Sequence, residues 1–570
     1  MCGFIGFFSN DDNLNNKYPN LRLSFNLLSN RGPDAHAEYL HKGIYMGFRR
    51  LSIIDPQSRS NQPFQSKCGN FILCFNGEIY NYKELSEHLK NRNIKLKTTS
   101  DTEVILELYL IYKEQFLNFL RGMFAIMIYD KQNNIVFFAR DHFGIKPLYY
   151  HVGDGLIINS QVKSIISSKL INKKVNPKSR KILYLMGSIA EPLSYFENIN
   201  SVKAGEFIEY HINEKKIIKN QWFNLSNFFL NTKHTKITTN DENTLKNKII
   251  ETINSHCIAD TEVGLFYSNG LDSNLIYQCV KKLLNYDLKN FSINFNDGGY
   301  NEIKDNKIII NKNNLFVNEI NKNDLIGDID NIFQSMDQPS IDGTNVWYAS
   351  KLAKENGVKA VLSGLGADEL FNGYSVVNNV NLFYKNKFLV ILIGILKYFI
   401  KRNKDKLSFL DLCYKNKSQL WLLIRSFIPF NKLVEKGIFD PQENPLDMLL
   451  EDFIPQADDD VSFLEFNLYL KNQLLRDCDW ASMAHGIEVR VPFVDIELLK
   501  VVSKFHLDSK YKGKVDLYSK LFGEILPQYQ LKYKKKGFKQ PQYNWYNPNI
   551  KTKEDYISNI EENYLSSLKS

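Results

Sequence analysis

Over the first 215 residues the apolar positions fall in short strand-like runs: CGFIGFF, GFRRLSIID, NFILCFNGEIY, MFAIMIYD, IVFFARD, PLYYHV and GLIINS. The clearest helical periods among them are YKELSEHLK and DTEVILELYLIYK. Strands that succeed one another with few helices between them pair antiparallel, so residues 1–215 are expected to form an α+β domain.

The rhythm then changes. An Asn/Thr/Lys-rich stretch from about Trp222 to Asn243 has no period and reads as part of a connector, drawn at residues 216–243. Beyond it helix and buried strand alternate: TLKNKIIETINSHC, VGLFYS, SNLIYQCVKKLL, NFSINF, WYASKLAKENG and KAVLSG. That alternation predicts a parallel sheet in a doubly wound α/β domain over residues 244–545, with ligands at the carboxyl ends of its strands. From Ser375 onward the chain reads as largely helical, and residues 546–570 read as a C-terminal tail. No internal repeat is visible.

Composition narrows the class. The 570 residues (66.4 kDa) are 44% hydrophobic and 24% charged, as in a soluble multidomain protein. The net charge of +9 is spread among acidic residues and asparagines, a solvating surface rather than a nucleic-acid face. Seven cysteines, Cys2, Cys68, Cys74, Cys257, Cys279, Cys413 and Cys478, show no C-x-x-C spacing; this argues for a reducing, cytoplasmic setting and against a disulfide framework. No basic segment with a long apolar core opens the chain, so no signal peptide is read. The run KFLVILIGILKYFIK, residues 387–401, is uninterrupted only from Phe388 to Leu396, short of the roughly 18 residues a span requires, and reads as a buried helix rather than a membrane contact.

Two loops carry candidate chemistry. SNGLDSN (Ser268–Asn274) joins a strand to a helix, where backbone N–H groups and the helix dipole converge on a site suited to phosphate. Taken alone it is also an ordinary capped turn. It is no Walker A loop, and GLGADE (Gly364–Glu369) does not complete a dinucleotide fingerprint, because Glu369 stands in place of the third glycine. GLGADE does bring Asp368 to a second strand end. With Asp272 it supplies the carboxylates that Mg²⁺ takes alongside phosphate oxygens.

SNGLDS resembles the pyrophosphate loop of N-type ATP pyrophosphatases. AVLSGLGADELFNGY, IEVRVPFVD (487–495) and KKGFKQP (535–541) are similar to further blocks of the asparagine synthetase family. The resemblance implies an ATP- and Mg²⁺-dependent enzyme that adenylates a carboxylate and lets ammonia displace AMP. Ser268, Gly270, Asp272, Ser273, Ser363 and Gly364 would then hold ATP and pyrophosphate, Asp272 and Asp368 the metal, and Lys535 the charge at the reaction centre. Lys535 lies in a run of lysines that could equally be a solvated basic loop.

The first half fits the same family. RGPD, RRLSIID, FNGEIYNY, SDTE, RGMFA and RDHFGIKPLYY follow in the family's order behind Cys2. The resemblance implies an αββα sandwich of the N-terminal-nucleophile type that hydrolyses glutamine. Once Met1 is removed, Cys2 would attack with its own α-amine, reference pKa ~7.7–8.0, as base. By position Arg50 takes the glutamine carboxylate, Glu78 and Asp101 its ammonium, and Asn76 and Gly77 the oxyanion. Relatives are often dimers, which makes a homodimer an expectation; neither nucleic acid nor membrane is expected as partner.

Two positions depart from the pattern. Asn269 replaces the first loop glycine, and Leu365 stands where aspartate-using relatives commonly carry an acidic residue. Aspartate is the default acceptor. A uronic acid of a nucleotide sugar is the alternative, and a non-catalytic nucleotide-binding relative is the reading from another class.

Overall fold

The computed structural model describes residues 2–11, 14–230, 237–268, 270–296, 312–386, 416–449, 460–505, 510–531, 545 and 550–569. Lys535, Asn269 and the apolar run at 387–401 lie outside the described residues.

The first half forms two six-stranded antiparallel sheets. One runs, edge to edge, Asn200–Ser201, Tyr149–Val152, Leu156–Asn159, Gly3–Phe8, Ile44–Arg50 and Ala35–His41. The other runs Lys216–Gln221, Glu206–His211, Ile135–Arg140, Gly122–Asp130, Phe71–Ile79 and Phe64–Gln65. Alternation along the first strand shows how the layers arise. Cys2, Phe4 and Phe8 join Met46, Cys74, Met127 and Phe138 in a core between the sheets, while Ile5 and Phe7 turn outward to Leu21, Phe25 and Ile165 on covering helices. On the far face of the second sheet, Phe75 and Ile126 pack against Leu85, Leu89 and Ile105 from the helices Tyr82–Asn91 and Asp101–Tyr112. The section is therefore helix, sheet, sheet, helix.

The second half holds a five-stranded parallel sheet ordered Leu315–Ile320, Lys289–Phe295, Val263–Phe266, Ala360–Leu362 and Glu488–Arg490. Val263–Phe266 comes first in the chain yet lies in the middle. The connections leave it toward both sides, so a crevice opens past its carboxyl end, between it and Ala360–Leu362.

Two expected boundaries are corrected. The connector cannot begin at 216, because Lys216–Gln221 is a paired edge strand; its mostly exposed side chains hid it from an apolar scan. Residues 546–570 are more than a tail. Thr552 and Asp555 form a capping box that starts the helix Lys553–Ser567. Glu561 of that helix accepts from Arg180 at 2.7 Å and Tyr195 at 2.5 Å in the first half. Among the described residues no helix is long and apolar enough to cross a membrane.

The halves meet through buried charge. Arg31 forms a bidentate pair with Asp479, at 2.7 and 3.2 Å. Both side chains are almost fully buried, so truncating one partner strands a charge in the interior. Asp479→Ala is expected to lower the unfolding free energy by about 3–5 kcal/mol, measured by denaturant titration.

Candidate active sites

Cys2 leads into the first strand and is 7% exposed. Its backbone N–H donates to Asn76 Oδ1 at 2.8 Å, its carbonyl accepts from Arg31 Nε at 3.1 Å, and its Sγ lies 3.9 Å from the Leu51 carbonyl. Burial pushes the Cys2 thiol up, opposed in part by the Arg50 guanidinium. Asn76, Gly77 and Glu78 sit in succession on the strand Phe71–Ile79. The Asn76 amide nitrogen Nδ2, on the side chain whose Oδ1 holds the Cys2 N–H, is buried without a hydrogen-bond partner among the described residues. A Cβ on Gly77 would fall 2.0 Å from the Met123 carbonyl, so only glycine lets the neighbouring strand approach there.

Glu78 Oε2 pairs with Arg490 at 2.9 Å, and its Oε1 is buried with no partner among the described residues. Burial pushes the Glu78 carboxyl up, while the Arg490 guanidinium pulls it back toward the charged form. Asp101 accepts from the Ile79 N–H at 3.3 Å and the Ser100 hydroxyl at 3.2 Å; burial raises its pKa to about 6. The Arg50 guanidinium donates to the carbonyls of Ile54, Asp55 and Gln57 and to Asn61 Oδ1. A carboxylate taken by Arg50 must exchange with some of these contacts.

At the second crevice Gly270 caps the helix Leu271–Gln278, and its N–H donates to Ser268 Oγ at 3.3 Å. Ser273 Oγ lies 3.3 Å from Ser268 Oγ and donates to the Gly270 carbonyl at 3.0 Å. The partner loop closes in so tightly that a Cβ on Gly364 would meet Asp272 Cβ at 2.9 Å. Ser363 is fixed by its N–H to the Arg490 carbonyl at 2.9 Å. Gly366 adopts φ +90°, where any side chain would strain the backbone and strike Val494.

Asp272 and Asp368, expected to share a metal, are indeed brought together, but by a residue the sequence did not single out. Lys514 Nζ bonds Asp272 Oδ2 at 2.7 Å and also bonds Asp368 Oδ1. Burial pulls the Lys514 pKa down, and the two carboxylates more than offset it, keeping the ammonium charged. Nothing in the spacing of Lys510, Lys512, Lys514 and Lys520 distinguishes the third position. Asp272 Oδ1 is buried with no well-formed hydrogen bond among the described residues, with the Tyr518 hydroxyl near the carboxylate, and a hard cation could use that oxygen. Glu369 beside them is pushed up to about 7, first by burial and then by Asp368. Arg490 was also missed as a site residue, although a lone arginine in the apolar run IEVRVPFV was a visible signal.

Comparison with known families agrees with this division. Residues 1–223 match a glutamine amidotransferase domain, and residues 244–560 match asparagine synthase. The chain belongs to the asparagine synthase family. Within that family it is 28% identical to asparagine synthetase [glutamine-hydrolyzing] 1 of Bacillus subtilis, over 96% of this chain and 88% of that relative. It is 36% identical to asparagine synthetase [glutamine-hydrolyzing] 2 of the same organism, over 43% of this chain and 34% of the other. A solved glutamine phosphoribosylpyrophosphate amidotransferase from B. subtilis aligns at 15% identity over 50% of this asparagine synthase relative and 66% of that chain, with a TM-score of 0.30.

With Lys514 gone, Asp272 and Asp368 would lose the buried cation that bridges them. Lys514→Met is expected to destabilise the protein by about 3 kcal/mol, read from the denaturant midpoint.

Proposed function

We propose that the protein is a glutamine-hydrolysing asparagine synthase, which moves the amide nitrogen of glutamine to aspartate at the expense of ATP. The observation that carries the reading is Asn76, whose Oδ1 takes the Cys2 nitrogen while its buried Nδ2 stays unpaired. One amide thus orients the base and offers a donor to the oxyanion.

After removal of Met1, the Cys2 α-amine takes the thiol proton and the sulfur attacks the glutamine side-chain carbonyl carbon. The tetrahedral oxyanion is met by Asn76 Nδ2 and the Gly77 backbone. Collapse expels ammonia, which carries off the transferred proton, and leaves a thioester that water cleaves to glutamate. Glu78 and Asp101 hold the substrate ammonium and Arg50 its carboxylate.

In the second domain Ser268, Gly270, Ser273, Ser363 and Gly364 form the phosphate cradle, and Lys514 adds a buried cation to it. Asp272 and Asp368 would hold Mg²⁺, which would neutralise charge on the phosphates as pyrophosphate leaves. Lys535 is assigned to the adenylated centre on its match to the family block alone. Leu365 favours a second reading of the acceptor. Its side chain packs toward the apolar core and cannot accept a hydrogen bond, so it offers nothing to an amino acid's ammonium. A carboxylate without that group, such as a sugar uronic acid, loses nothing by it.

Purified protein with Mg-ATP and glutamine is expected to release pyrophosphate and form asparagine when aspartate is supplied. Inert aspartate with an amidated nucleotide-linked uronic acid would establish the second reading. Nucleotide binding with no turnover on any carboxylate would sink both. Cys2→Ala should lose glutamine-driven synthesis while ammonium chloride still drives it.

A pH dependence follows from Asp101. With its pKa near 6, it is ionised at neutral pH and gains a proton below that value. Its attraction for the ammonium is therefore lost as pH falls. The glutamine KM of the hydrolysis half-reaction should rise as pH falls through 6, in steady-state assays across that range.

A further inference from the structure

Arg490 is 0% exposed and ends the last strand of the parallel sheet, yet its side chain reaches the first domain. Its Nε donates to Glu488 Oε1 at 2.7 Å, its Nη1 to the carbonyls of His256 and Ile258 at 3.0 and 2.5 Å, and its Nη2 to Glu78 Oε2 at 2.9 Å. Its own carbonyl holds the Ser363 N–H at 2.9 Å. The guanidinium is thereby fixed on several sides, and the rotamer of Glu78 is fixed by it. Glu78 Oε1 remains buried and unpartnered among the described residues.

Resting on the glutaminase reading, we infer that Arg490 is a positioning residue for glutamine: from the synthetase sheet it clamps one oxygen of Glu78 so that the other faces the substrate ammonium. The clamp needs the planar fork, because Nε and Nη2 diverge to two different carboxylates. A lysine ammonium keeps the charge but cannot reproduce that divergence. Removing it frees Glu78 to turn, while the Cys2–Asn76 bond and the Arg490 carbonyl that holds Ser363 involve no atom of the guanidinium.

The test is Arg490→Lys in the full chain, assayed for glutamine hydrolysis and, separately, for ammonia-driven pyrophosphate release. The expected result is a rise in glutamine KM of about 10–100-fold, by analogy with the loss of an outer hydrogen-bond partner of a metal ligand. The kcat for hydrolysis and the ammonia-driven rate should stay near wild type. Should the lysine variant fold poorly, the pair Arg490→Gln with Glu488→Gln removes one cation with one anion and should show the same rise. An unmoved KM in a folded variant overturns the inference. So does a parallel loss of hydrolysis, ammonia-driven turnover and unfolding midpoint, which would make Arg490 a structural pillar only. Wild-type protein that hydrolyses no glutamine overturns the glutaminase reading itself, a result distinct from either.

Discussion

The arrangement of the first site depends on one buried guanidinium. Arg31 Nε holds the carbonyl of Cys2, while its two terminal nitrogens grip Asp479 of the other half. An arginine buried this deeply is tolerated only when its donors are matched and its charge is paired. Both conditions are met by groups from opposite halves, so the arginine that holds the Cys2 carbonyl is itself held from the other half. Glycines make room for it. A Cβ on Gly3 would press on Arg31 at 3.1 Å, and one on Gly32 would collide with the Arg49 backbone at 2.2 Å.

The same logic recurs along the seam. Arg121 meets Asp495 at 2.8 Å, and Lys471 with Arg140 encloses Glu191. Apolar surfaces tolerate a shift of register; charges paired across an interface do not, because sliding leaves each one desolvated and alone. The relative setting of the two sites is specified by these pairs more than by shape alone.

How much of this was legible in the sequence differs by region. Strands buried on both faces, such as GFIGFF and FILCFNGEI, announce themselves by continuous apolar character, and the parallel sheet by its alternation with helices. The edge strands AHAEYLH and KIIKNQ do not, since side chains turned to water carry little apolar signal. At the sites, Asn76 next to Cys2 and Asp272 next to Asp368 were foreseeable because each lies in a motif. Lys514 was not: its role comes from a helix folding back over two loops more than 140 positions upstream, a distance that no local pattern encodes.

The helix Lys553–Ser567 has a consequence for the order in which the molecule is made. Its Glu561 satisfies Arg180 and Tyr195, and Tyr564 packs beside Tyr195 and Phe196, all from a domain that leaves the ribosome hundreds of residues earlier. Domains generally fold as units during synthesis, the N-terminal one first. The first half must therefore wait, with this apolar and charged face uncovered, until residues 553–567 have been made. Its helix Pro177–Met186, which carries Arg180, can settle into its final surroundings only after the parallel-sheet half has been made.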